Sequence, residues 1–125
     1  MKNDDSEKAA VLIWSAPVSL TAATKIAPNS SGVYFFGAVT RLMGLEIGVD
    51  PVYVGRSNNL KKRLAEHYRN QRDLEWRRQI SSEQLLGVRW VVLPRSEIEN
   101  VEISLIRTLS PKFNIINYTK GRKAA

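Results

Sequence analysis

Glu102 stands where an apolar residue is expected. Ile98, Val101, Leu105, Ile106 and Leu109 recur at helical spacing, about 100° per residue, and Glu102 falls inside that stripe. Burying an unpaired carboxylate is costly, so a glutamate there is paired with a base, bound to a metal ion or set at the mouth of a cleft. His67 repeats the anomaly, because it projects with Leu60 and Leu64 while Arg63 lies about 60° from Leu60 on the flank. Such a histidine is either a satisfied core residue or a proton-transfer group placed beside the core. Tyr34 and Tyr53 sit in aromatic, β-branched runs, and there a tyrosine is either a strand aromatic with its hydroxyl at the surface or a phenol available for acid–base work.

These residues need elements to carry them. Asn29-Ser30-Ser31-Gly32 is a turn signal, and Val33-Tyr34-Phe35-Phe36 after it suits a strand. The glycine-punctuated run from Leu42 to Pro51 reads as an extended hairpin loop, and Val52-Tyr53-Val54-Gly55 as the second strand. Asn58-Asn59 offers an N-cap for a helix from about Leu60 that carries Arg63 and His67. Gln71 to Ile80 forms a second, arginine-dense helical stretch, and Val88 to Leu93 a third strand closed by Pro94. Ser96 with Glu99 has the capping-box pattern, which opens a helix to about Leu109 that Pro111 prevents from continuing. Upstream, Ser19 caps a short helix through Ile26 that stops before Pro28. The fold class is α/β, an α+β sandwich in which a small three-stranded sheet, mixed or antiparallel, is flanked by helices.

Composition narrows the partners. The 125-residue chain is 43% hydrophobic, enough for one core, and the expectation is a single domain over residues 11–120. Residues 1–10 read as a disordered leader and 121–125 as a basic tail. The formal charge of +7 favours a polyanion, nucleic acid first, although a soluble protein that merely carries many lysines accounts for it equally. The absence of cysteine excludes disulfides, zinc–thiolate sites and thiol catalysis, and one histidine argues against a His-rich metal site. No apolar run is long enough to span a bilayer and the start lacks signal-peptide order, so the expectation is an intracellular, cytoplasmic protein that meets no membrane.

Gly32-Val33-Tyr34, then Tyr53-Val54-Gly55, then Leu60 to Arg63 and His67, then Glu102 and Pro111-Lys112-Phe113-Asn114, together resemble the GIY-YIG nuclease family over roughly residues 30 to 116. The departure is the stretch between the two tyrosines, longer than the family's short hairpin, which implies an insertion over about 41–51.

The resemblance implies divalent-metal-dependent hydrolysis of DNA phosphodiesters at one active site built from Tyr34, Tyr53, Arg63, His67 and Glu102. Glu102 would hold one Mg²⁺ or Mn²⁺ ion, and Arg63 would pair with the scissile phosphate through its planar fork. Tyr34 would accept the proton of the attacking water, its pKa depressed by Arg56, Arg63 or the metal, with His67 as an alternate base. Tyr53 would orient phosphate or nucleophile, Arg56, Lys61 and Lys62 would contact phosphate or DNA, and Asn114 would close the site by hydrogen bonding. The alternative is a catalytically silent nucleic-acid-binding module on the same fold. Expected partners are DNA and, if specificity is supplied in trans, a second protein, with the chain a monomer or homodimer.

Overall fold

The computed structural model describes residues 11–114. In chain order the elements are α1 (Leu20–Ile26), β1 (Gly32–Leu42), β2 (Leu45–Ser57), α2 (Leu60–Arg69), α3 (Arg72–Arg77), β3 (Gln84–Val92) and α4 (Arg95–Leu109). The sheet has strand order β2-β1-β3 with both pairings antiparallel, which decides between the two arrangements that the sequence allowed.

Alternation along β1 divides the core in two. Tyr34, Phe36 and Ala38 point to the layer formed by Leu20 and Ala23 of α1, Leu60 and Leu64 of α2 and Trp76 of α3. Val33 and Phe35 point to the opposite layer, where Ile98, Val101, Leu105 and Ile106 of α4 pack with Val54, Val91 and Trp14. Each fully buried valine or leucine contributes about 1.5–3 kcal/mol, and because both faces draw on β1, that strand is the middle of the sandwich.

Both outer strands need partners for their outward backbone groups. Along β3, Ser15 and Val18 supply them: Ser15 N–H donates to the Trp90 carbonyl at 2.8 Å, and Val18 and Val88 exchange bonds of 3.0 and 2.7 Å. Along β2 a side chain does the work. The Asn114 amide donates to the Val54 carbonyl at 2.7 Å and accepts from the Val54 N–H, so one carboxamide imitates a neighbouring strand.

Several local expectations are corrected. The run read as a loop between Leu42 and Pro51 is almost wholly strand, because β1 and β2 stay paired to Leu42↔Leu45 and only Met43 and Gly44, both at positive φ, make the turn. Two register shifts, between Phe36 and Gly37 and between Thr40 and Arg41, absorb extra residues of β2 and twist this ribbon. The capping box does not form: α4 starts two residues earlier, with Pro94 at the N-cap and no side-chain cap bond, and Ser96 already lies inside the helix. The second arginine-rich stretch is helical only over Arg72–Arg77, and β3 extends four residues upstream of its expected start at Val88. Ser19 and Asn59 do cap their helices, accepting from the Ala22 and Lys62 N–H groups at 3.1 Å in each case. The leader and the basic tail lie outside the described residues. No helix among those residues is long and apolar enough to cross a membrane.

Asn114→Ala should cost about 2–3 kcal/mol, because it strands a buried N–H and a buried carbonyl. For a domain of this size that lowers Tm by on the order of 10–20 °C. Thermal unfolding measures it, and a change under about 2 °C would show that Val54 is satisfied by something else.

Candidate active site

Tyr34 projects from β1 across the face of β2, and it can do so only because residue 55 is glycine. A Cβ at Gly55 would overlap the Tyr34 ring carbon Cζ and its hydroxyl oxygen, so the glycine of Tyr53-Val54-Gly55 is a space for the tyrosine of Gly32-Val33-Tyr34. Gly32 has a similar role, since a Cβ there would meet the Val91 carbonyl and the Leu60 side chain. α2 then turns Leu60, Leu64 and His67 toward the same layer, all three buried.

The result is a buried polar pair. Tyr34 Oη and His67 Nε2 lie 2.7 Å apart, with Tyr34 1% and His67 5% exposed. Rings enclose them: Phe36 and Trp76 pack edge-on and tilted against His67, and Tyr53 stacks on Trp76 at 5.1 Å, which in turn stacks on Phe113. Trp76 is thus the wall that fixes Tyr53, a role its place in the sequence marked only as an apolar helix position.

The electrostatics correct one expectation. Burial pushes the Tyr34 phenol well above its ordinary range, Tyr53 adds to this, and Arg63 offsets only part of it. The charge of Arg63 alone does not produce a resting phenolate. His67 moves the other way, down to about 4, because burial and then the charges of Arg63 and Arg72 disfavour its cation. At neutral pH both members of the pair are uncharged.

Arg63 stands beside this pair and Arg56 across β2 from it, and each is ion-paired within the chain. Arg63 Nη1 donates to Glu66 Oε1 at 2.9 Å, and this bond does most to hold the guanidinium charged. Glu66 was not foreseen, although its i,i+3 spacing from Arg63 is the signal that could have found it. Arg56 alternates to the opposite face of β2, where its Nε is 3.5 Å from Glu102 and its Nη1 3.6 Å from Glu99. These are ion pairs too long for hydrogen bonds. Glu102, with 19% of its side chain exposed, has its carboxyl pushed up by burial more than Arg56 lowers it, and its charge is felt at Tyr34.

Glu102 therefore has the ion pair that its place in an apolar stripe suggested, yet the pair leaves it incompletely compensated. Among the described residues no three His, Cys, Asp or Glu side chains gather to hold a metal. A half-buried carboxylate without strong hydrogen bonds, open to water on one side, fits a hard divalent cation that keeps most of its water shell.

Tyr34, Tyr53, Arg63 and His67 form one constellation, with Glu102 at its edge beyond β2. Lys62 is exposed on the first turn of α2, beside Arg63. Lys61 is spent elsewhere, since its ammonium donates to the Lys25 carbonyl at 2.7 Å and closes the C-terminus of α1. The Asn114 amide, expected to close the site by hydrogen bonding, makes its two bonds to the Val54 backbone.

Residues 30–115 match the UvrC-like GIY-YIG domain. The UvrABC system protein C of Aquifex aeolicus is 35% identical over 98 residues, 76% of this chain and 15% of that protein. Its counterpart in Rickettsia prowazekii is 33% identical over 92 residues, 72% of this chain and 13% of that protein. The chain thus spans about one-seventh of these relatives' length. Among solved structures, the N-terminal GIY-YIG endonuclease domain of UvrC from Thermotoga maritima, a point mutant bound to the catalytic divalent cation, superposes with a TM-score of 0.51 at 23% identity, covering 76% of this chain and 93% of that one. The magnesium-bound form of the same domain gives 0.50 at 24% identity, covering 76% and 94%.

The low pKa of His67 is also a stability statement. The unfolded imidazole takes up its proton near 6.5 but the folded one only near 4, so the unfolded state binds more protons in between. Stability attributable to His67 is complete above pH 6.5 and drains away as pH falls toward 4, by on the order of 3 kcal/mol. Glu102, with its carboxyl pushed up, acts in the opposite sense. Thermal melts of the wild type and His67→Gln across this window should diverge, the wild type losing more; parallel curves would show that His67 is not the titrating group.

Proposed function

Because the chain belongs to the UvrC-like GIY-YIG domain family, we propose that it is an endonuclease that hydrolyses DNA phosphodiester bonds with one divalent cation. The observation that carries this reading is the buried 2.7 Å pair of Tyr34 and His67 set beside Arg63. A pair of neutral, mutually satisfied groups in an aromatic pocket has little structural purpose that two apolar side chains would not meet.

The chemistry follows from the protonation states. A water positioned against Tyr34 gives its proton to the phenolic oxygen as the phenol passes its own to Nε2 of neutral His67, so no free phenolate is needed despite the raised pKa. His67 then carries the positive charge. The dianionic transition state and the DNA backbone stabilise that charge, opposing the burial that keeps the imidazole neutral at rest. Arg63 pairs its guanidinium with the scissile phosphate, a bidentate geometry that lysine cannot reproduce. Tyr53, fixed against Trp76, orients the nucleophile or the phosphate. Glu102 would hold Mg²⁺ or Mn²⁺, and the ion would supply charge stabilisation to the phosphate.

The exposed side chains of Arg56, Lys62, Arg69, Arg77 and Arg78 supply backbone contacts to DNA. Target choice, whether a specific site, a branched structure or foreign DNA, is supplied by a protein partner, and the reaction takes place in the cytoplasm. The assembly is a monomer or homodimer. Asn114 acts by holding β2 and thereby Tyr53 and Arg56 in register, which makes it a positioning residue.

Supercoiled plasmid with Mg²⁺, Mn²⁺ or chelator tests the proposal. Nicking should require the cation. Glu102→Gln should lower the rate by about three orders of magnitude, some 4 kcal/mol of transition-state stabilisation, and Tyr34→Phe by about 10²- to 10⁴-fold. DNA affinity should persist in both and fall with salt in proportion to the phosphates neutralised. Undiminished nicking in chelator would sink the metal mechanism, and tight DNA binding with no nicking under any metal would favour the silent module.

A further inference from the structure

Arg56 lies between two carboxylates on one face of α4. Glu99 and Glu102 are three residues apart, so their side chains leave the helix as neighbours. The guanidinium stands 3.6 Å from one and 3.5 Å from the other, and is hydrogen-bonded to neither. The two acids differ in surroundings: 66% of the Glu99 side chain is exposed, against 19% of Glu102. Water already solvates Glu99, whereas Glu102 depends on Arg56 for most of its compensation.

Resting on the reading of Glu102 as the cation's protein ligand, we propose that Arg56 is a built-in competitor for that carboxylate, displaced when a divalent cation binds and then received by Glu99. Arg56 and a divalent cation compensate the same charge, and both cannot sit against one half-buried carboxylate without repelling each other. Glu99 is already within reach, so displacement needs a small rotation of the side chain and no backbone movement. Once turned from Glu102, the guanidinium has donors free for a phosphate oxygen. Cation loading and phosphate capture are thereby coupled through one side chain, and by linkage each strengthens the other.

The test reads cation affinity on the whole chain without DNA, using Mn²⁺ followed by electron paramagnetic resonance at low salt. Arg56→Gln should tighten Mn²⁺ binding about two- to fivefold, the range expected for loss of one solvent-accessible ion pair. Glu99→Gln should weaken it by a similar factor in the wild-type background, because Arg56 then has only Glu102 to pair with. In the Arg56→Gln background the same Glu99 substitution should change affinity by less than about 1.5-fold, since nothing remains to be received. An equal Glu99 effect in both backgrounds would mean simple through-space attraction or direct ligation, and would overturn the receiving role. Unchanged affinity in Arg56→Gln, with Glu102→Gln abolishing binding, would overturn the competition while leaving the metal site intact. Mn²⁺ binding that survives Glu102→Gln would remove the reading beneath it.

Discussion

A phenol taken almost wholly out of water must find a hydrogen-bond partner or lose on the order of 1–3 kcal/mol, and Tyr34 has His67. Much of the nearby architecture follows from keeping these two groups together. Residue 55 must lack a side chain so that the tyrosine can lie across β2, and residue 32 must lack one so that β3 and α2 can close on β1. α2 must be capped at Asn59 so that His67 falls on the inward stripe with Leu60 and Leu64. Trp76 must be buried to complete the wall of rings. Two three-residue motifs that look like arbitrary strings are thus the steric conditions for one hydrogen bond.

The second constraint is that β2 is the outer strand. Because side chains alternate, Tyr53 and Gly55 serve the layer of α2 while Val54 and Arg56 serve the layer of α4. Four consecutive residues therefore line both the Tyr34–His67 side and the carboxylate side of the candidate site, at a sheet edge. An edge strand is the least constrained part of a sheet, and here Asn114 pins it at Val54, the centre of those four residues.

How far the sequence reveals this depends on the range of the interaction concerned. Helical stripes and N-caps are local, so the inward face of α2 and the cap residues Ser19 and Asn59 were legible. The order of the five site residues along the chain was legible too, because the motifs preserve the contacts of Gly55 with Tyr34 without naming them. The α4 start was misread since a capping box competes with Pro94, whose fixed φ already suits the position before a helix. The hairpin was misread because glycine at 48 and Asp50-Pro51 signal a loop, while the pairing that makes them strand comes from β1 across the turn. That Arg63 by itself would depress the Tyr34 pKa was misread for a related reason. Charges can be counted in a sequence, but burial, which outweighs them here, cannot. The fates of Lys61 and Asn114 rest on contacts 36 and 60 residues away, which no local pattern records.

The formal charge of +7 misleads in one further respect. Two arginines of the candidate site are paired at rest with acids of the same chain, Arg63 with Glu66 and Arg56 with Glu99 and Glu102. The long-range attraction for a polyanion must therefore come from the periphery, where Lys62, Arg69 and Arg78 are exposed and have no ion pair among the described residues. On the proposed reading, binding at the centre is an exchange of a carboxylate for a phosphate. Exposed ion pairs are worth about 0–1 kcal/mol each, so the exchange is nearly balanced and small geometric advantages decide it. A phosphate that presents two oxygens to a planar guanidinium has that advantage over a single Glu66 oxygen at 2.9 Å. Such a centre discriminates by fit, because an anion of the wrong shape gains no more from Arg63 than Glu66 already does.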